Sequence, residues 1–161
     1  MAATAASKRL WIMSGEPWAL LVEDSASDRE LTMLALNQRG MRREIRTARD
    51  GAEALDLLFC RGDWQDRDPQ DRPRVILLDV NMPRVGGFEV LREIKRHAEL
   101  AQVPVVMLTS SAEQRDLSAS YELGANSYVV KPVDIDEFFA TLDQLGTYWL
   151  EVNQSGGELI R

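Results

Sequence analysis

One cysteine, Cys60, and one histidine, His97, are all that the 161 residues contain. A single thiol excludes an intramolecular disulfide and is the usage expected of a reducing compartment, so the expected location is the cytoplasm. Cys60 follows an amphipathic pattern and reads as a small buried apolar residue. A phosphotransfer histidine needs a dedicated helix around it, whereas His97 closes a charged helical pattern, so it reads as a surface or last-turn residue. No apolar run approaches the roughly 18–20 residues of a membrane span, and Leu10-Trp-Ile-Met13 is too short for a signal-peptide core. Positive charge is also in deficit. The formal net charge is −7 and the basic residues are scattered, which argues against a binder of nucleic-acid backbone. The length suits one domain, without room for an added DNA-reading module.

What is present is an alternation of short apolar runs and amphipathic stretches. Residues 1–17 are Ala- and Ser-rich without period and are expected to form a flexible extension. Trp18–Val22 is a strand-like run ending in Glu23-Asp24. Ser27-x-x-Glu30 has capping-box spacing for a helix with Leu31 and Leu34 on one face and Gly40 as its stop. Glu44–Ala48 reads as a second strand, and Asp50-Gly-Ala-Glu53 starts a second helix. The polar stretch between Arg61 and Arg74, with Pro69 and Pro73, reads as a surface loop; Trp64 within it is suited to cover an apolar patch or touch a partner. Val75–Leu78 is a buried strand with Asp79 at its end, and Gly86-Gly87 introduces a helix. Pro104–Leu108 is a fourth strand ending in Thr109-Ser-Ser111. Ser111-x-x-Gln114 would cap a helix carrying Leu117 and Tyr121 that stops at Gly124. Tyr128–Val130 is a fifth strand leading to Lys131-Pro132. Asp134-x-x-Glu137 opens a last helix with Phe138, Leu142, Leu145, Trp149 and Val152 at helical spacing.

The order is (βα)₅, which folds as a doubly wound parallel sheet covered on both faces, in residues 18–153, with 154–161 as a tail. In such sheets ligands bind beyond the carboxyl ends of the strands, where the winding reverses. Four strand ends there carry Glu23-Asp24, Asp79, Thr109 and Lys131. Three carboxylates make a hard oxygen set suited to Mg²⁺. A lysine and a hydroxyl can hold phosphoryl oxygens, and phosphoryl transfer asks mainly for positioning and charge stabilisation. Each residue alone has an ordinary reading as cap or solvated charge. Their convergence on one metal–phosphate geometry is what points to a site.

The motifs Val22-Glu-Asp24, Leu77-Leu-Asp-Val-Asn-Met-Pro83 with Gly86-Gly87, Met107-Leu-Thr-Ser110 and Gly124-Ala-Asn-Ser-Tyr-Val-Val-Lys-Pro132 resemble those of two-component receiver domains, which have a flavodoxin-like fold. The resemblance implies that Asp79 is the phospho-acceptor and that Glu23, Asp24, Asp79 and the backbone carbonyl of Asn81 hold Mg²⁺. It implies that Thr109 and Tyr128 are the switch pair, and that Lys131 pairs with the phosphoryl group through a cis bond to Pro132. Asn81 and Ser111 match positions that tune dephosphorylation. The Glu23-Asp-x-x-x-Asp-Arg29 start, the long 61–74 loop and the extended last helix resemble regulators that partner phytochrome-type sensor histidine kinases. The implied role is a signalling module and not an enzyme. A hydrolase of the haloacid-dehalogenase type would need an acid where Asn81 stands, and a pseudo-receiver would lack the complete acid–Thr–Lys set. The stripe Phe138, Leu142, Leu145, Tyr148 and Trp149 runs beyond what a compact sheet covers, and a homodimer on that helix is expected.

Overall fold

A computed structural model describes residues 17–38 and 43–154. Five strands, β1 (Trp18–Val22), β2 (Glu44–Ala48), β3 (Val75–Leu78), β4 (Val105–Thr109) and β5 (Ser127–Val130), alternate with five helices. These are α1 (Ala26–Leu36), α2 (Gly51–Leu58), α3 (Gly87–Arg96), α4 (Gln114–Glu122) and α5 (Ile135–Thr147). The strands form one sheet in the order β2-β1-β3-β4-β5, every pairing parallel. Winding therefore reverses at the β1/β3 boundary, as the (βα)₅ reading requires.

Alternation along the strands makes two cores. Trp18, Leu20, Val22, Ile76, Leu78 and Met107 face Ala54, Leu57, Leu58, Val90, Leu91 and Ile94 of α2 and α3. Ala19, Leu21, Val75, Leu77, Val106 and Leu108 face Ala35, Leu36, Phe138 and Leu142 of α1 and α5. β1, β3 and β4 are buried throughout, which is why they read as unbroken apolar runs.

Several local expectations are corrected. α1 is capped by Ser25, whose hydroxyl accepts from the Asp28 amide at 3.3 Å; Ser27 already lies inside the helix. That start turns Thr32, Ala35 and Leu36 inward and leaves Leu34 64% exposed. Gly40 lies outside the described residues, as do the 1–17 extension and the 154–161 tail apart from Pro17 and Gln154. The caps at Asp50 and Asp134 form as expected, accepting from the Glu53 and Glu137 amides at 2.8 and 2.9 Å. Gly124 ends α4 with φ +98°, a backbone that favours glycine. Ser111 does not cap α4. Glu113 holds that place, and the Ser111 hydroxyl is drawn to the Asp116 carboxylate at 2.5 Å. Tyr121 of α4 is 51% exposed, so it does not join the core.

The 61–74 segment is more than a surface loop. A 3₁₀ turn at Gly62–Trp64 buries Trp64 against the first core, and Arg67 is buried behind it. Cys60 is only half-buried, because it leaves α2 in a left-handed conformation with φ +54°. His97 is exposed at the end of α3, its ring edge-on to Phe59. α5 runs past Gly146 and widens into a π turn at Tyr148–Val152. Leu150 in that turn is buried, while Tyr148 and Val152 stay 50% and 57% exposed and Trp149 packs partly on the second core.

Candidate functional site

Glu23 and Asp79 occupy equivalent places at the ends of paired strands, since Val22 is in register with Leu78. The Asp79 amide continues the ladder to the Val22 carbonyl at 3.3 Å. Carboxylate oxygens of Glu23, Asp24 and Asp79 lie within 4.8 Å of one another at the topological switch point. Glu23 is buried and Asp24 exposed, so the set reaches from the sheet edge into solvent.

Lys131 follows β5 and reaches across β4 and β3. Its ammonium donates to Glu23 Oε2 at 2.6 Å and stands 3.8 Å from Asp79 and 4.0 Å from Asp28. Burial pushes the Glu23 carboxyl above its ordinary range, with Asp79 adding to the rise and Lys131 opposing it. Burial also disfavours the Lys131 charge, but the bond to Glu23 and the surrounding acids outweigh it and hold the ammonium above its ordinary value. A buried carboxylate held this way is stabilised by cations, and three hard oxygen donors around one point suit a divalent ion such as Mg²⁺. The donor set therefore fits a divalent metal, which would neutralise the acids facing an incoming phosphate.

The Lys131–Pro132 peptide is trans, since the described residues hold no cis bond; the cis expectation is corrected. The two isomers before proline differ by only about 0.5–1 kcal/mol, so local contacts choose between them. Here the trans chain already delivers Lys131 to Glu23, and its amide donates to the Thr109 carbonyl at 2.7 Å.

Thr109 ends β4 fully buried, and its hydroxyl accepts from the Ser111 amide at 3.2 Å. Tyr128 packs against the first core, and its hydroxyl donates to the Ser111 carbonyl at 2.8 Å. The two expected switch residues thus meet through one intermediate, Ser111. Burial raises the Tyr128 hydroxyl above its ordinary pKa; the Ser111 bond opposes this and Asp116, Asp79 and Glu113 reinforce it. Asn81 is exposed beside Asp79, with its amide 3.3 Å from Asp79 Oδ1.

Three supporting residues escaped the reading of the sequence. A Cβ on Gly87 would stand 2.0 Å from the Asp79 carbonyl oxygen, so only glycine lets α3 start directly under Asp79. The Gly86-Gly87 doublet was visible as a helix start and as part of the receiver motif, but not as this close contact. Arg29 donates to the Glu23 carbonyl at 2.8 Å and fixes the acidic turn, which gives the Asp-Arg pair of the opening motif a physical task. Asp116, five residues beyond Ser111, anchors that residue through its hydroxyl.

Comparison with known proteins gives the family. The family model for the response regulator receiver domain matches residues 19–143, and the chain belongs to that family. The response regulator Rcp1 of Synechocystis is 39% identical over 132 residues, 82% of this chain and 88% of Rcp1. The crystal structure of its Mn(2+)-bound form matches with TM-score 0.78 at 37% identity, covering 86% of this chain and 98% of that one. The phosphorylated cyanobacterial phytochrome response regulator RcpA matches with TM-score 0.81 at 34% identity, covering 88% and 99%. The bacteriophytochrome response regulator AtBRR is 46% identical over 88% of this chain and 100% of its own, with TM-score 0.68. The fold is therefore the flavodoxin-like receiver fold, and the chain is a response regulator whose class of partner is the sensor kinase. No helix among the described residues is long and apolar enough to cross a membrane.

Proposed function

We propose that this receiver, residues 18–153, accepts a phosphoryl group on Asp79 from the phosphohistidine of a sensor histidine kinase, in a Mg²⁺-dependent reaction. The observation that carries the reading is the meeting of three carboxylates and one ammonium at the β1/β3 switch point. An Asp79 carboxylate oxygen attacks phosphorus, the P–N bond breaks, and the neutralised imidazole leaves with a proton. Mg²⁺ would be held by Glu23, Asp24, Asp79 and the Asn81 carbonyl, and when bound it supplies positive charge to the phosphoryl oxygens. Lys131 exchanges its contact with Glu23 for a phosphoryl oxygen, and Thr109 donates to another. Transfer then biases the Thr109–Ser111–Tyr128 link and the surface of α4, β5 and α5, without steady turnover of a substrate.

A phytochrome-type kinase is the favoured partner, on the strength of the relatives named as phytochrome and bacteriophytochrome response regulators. A cleft beside the site, lined by Leu31, Pro132, Val133, Ile135 and Phe138 together with the charged Asp28 and Lys131, offers a partly apolar seat for a kinase helix. Val133 projects fully into solvent there and Ile135 is 50% exposed. A homodimer through α5 and its π turn is supported by exposed Tyr148 and by the groove that Leu145, Tyr148 and Trp149 form with Val129 of β5.

Acetyl phosphate tests the acceptor directly. Wild type should take up label with Mg²⁺ and far less without it, and Asp79→Asn should stay folded and take up none. Equal labelling of Asp79→Asn would remove Asp79 from the role, and labelling indifferent to metal would remove Mg²⁺.

A further inference from the structure

The Arg67 guanidinium is buried to 3% exposure on the side of the domain formed by α2 and the 61–74 loop, away from the carboxyl ends of the strands. Its Nη1 is satisfied by the Asp71 carbonyl, and Nε donates to the Leu57 carbonyl at 3.0 Å. Nη2 has no hydrogen-bond partner among the described residues and no access to solvent. Nε and Nη2 share one edge of the planar guanidinium, so the orphan donor faces the same way as Nε, toward the carboxyl end of α2. Cys60 lies there. Its amide points at the same Leu57 carbonyl at 3.4 Å, and its left-handed backbone turns the residue back on the helix end. The thiol is half-buried and free.

A strong buried donor with at most the weak Cys60 sulfur for an acceptor is an arrangement completed by an oxygen on that sulfur. We propose that Cys60 is an oxidation site for hydroperoxides, and that Arg67 Nη2 is the seat of the sulfenate oxygen formed there. The Cys60 thiolate attacks the terminal oxygen of the hydroperoxide, an S–O bond forms, the O–O bond breaks, and the alcohol or water leaves with a proton. Sulfur is oxidised by two electrons and the peroxide is reduced by the same two. The new oxygen accepts from Nη2, and a burial penalty carried by the reduced protein disappears. Reduced Cys60 offers only a weak sulfur acceptor, which is why the donor is satisfied in one redox state alone. Oxidation should therefore tighten the α2–loop junction.

The whole chain, reduced and then treated with hydrogen peroxide, tests this, because its sole cysteine removes any ambiguity of site. Intact mass with and without dimedone should report a trappable sulfenic acid in wild type and none in Cys60→Ser. The oxidised wild type should melt at a higher temperature than the reduced protein. Arg67→Lys, which keeps charge but loses the side-on edge, should lose that rise, and Arg67→Met should slow oxidation about tenfold, the worth of one charge-assisted hydrogen bond. The wild-type comparison needs no variant to fold. Oxidised protein melting at or below the reduced temperature, or no trappable sulfenic acid, overturns the proposal.

Discussion

Replacing Asp71 by Ala should destabilise the fold by about 3 kcal/mol without touching phosphoryl acceptance. Arg46 of β2 is fully buried, and its guanidinium lies 3.9 Å over the Trp18 ring. Asp71 Oδ2 accepts from Arg46 Nη1 at 2.8 Å while Oδ1 accepts from Trp18 Nε1 at 2.7 Å. Arg67, also buried, lies over the same ring at 5.5 Å. One carboxylate from the long loop thus offsets two buried guanidinium groups at the amino end of β1. Breaking a buried ion pair costs about 3–5 kcal/mol. Glu44 still holds Arg46 Nη2 at 2.9 Å, and Asp71 keeps 19% of its side chain in contact with water, so the lower end applies. For a domain of this size that loss lowers the melting temperature by roughly 6–12 °C. Urea unfolding followed by tryptophan fluorescence and circular dichroism measures it. A cycle with Arg46→Met should show about 1–3 kcal/mol of coupling between the two residues. Asp71 lies at the end of the sheet opposite Glu23, so acetyl-phosphate labelling should match wild type at temperatures where the variant is folded. A loss below about 1 kcal/mol, or additive single mutants, would refute the claim that this carboxylate holds the loop to the sheet.

Other changes have equally definite outcomes. Gly87→Ala drives a methyl into the Asp79 carbonyl and should cost about 1–3 kcal/mol of overpacking while depressing the labelling rate; an unchanged rate would show that the loop yields without moving the acceptor. Mg²⁺ should raise the wild-type melting temperature by mass action, and Glu23→Gln with Asp24→Asn should abolish that rise; an undiminished rise would put the ion elsewhere. Sedimentation at micromolar concentration should give a dimer for wild type and a labelling-competent monomer for Tyr148→Glu with Trp149→Glu; a monomeric wild type would remove α5 from any interface.

The fold was legible wherever burial is two-sided. Val75–Leu78 and Val105–Thr109 have no polar face to confuse the pattern, and Asp79 and Thr109 could be placed at their ends from the abrupt change to polar residues. The acidic pair, Asp79, Thr109 and Lys131 stood out because each closes or directly follows a strand, whereas Tyr128, second in β5, entered only through the family resemblance. What escaped depends on rotation and distance. Leu34 fitted an apolar period, but the true cap at Ser25 rotates the helix past it. Ser111 had a capping spacing, yet its hydroxyl gains more from the Asp116 carboxylate, a partner that spacing cannot rank against an amide. The polarity of residues 61–74 suggested solvent. Arg67 and Asp71 instead face inward because the buried Trp18 ring and the Arg46 cation await the acid, and those groups come from β1 and β2, far off in sequence.

The uneven burial of the sheet argues for where a signal at Asp79 can be felt. β1, β3 and β4 are closed on both faces, so a new charge at their ends meets backbone that cannot yield without opening a core. On the far edge, β5 is only half-buried and ends in an exposed Val130, and Ser120 is the single buried residue of α4. Elements with few buried contacts are the ones that move at small free-energy cost. Thr109 stands at the border between these halves. Its hydroxyl takes the Ser111 amide, while Ser111 holds Tyr128 by its carbonyl and α4 by its own hydroxyl. A shift of Thr109 toward Asp79 therefore draws on Ser111 first, and through it on the two least anchored elements of the fold. The exposed Tyr148 and the groove along α5 lie against β5 on this same edge, so a displacement there alters the surface on which a second copy or a target would sit.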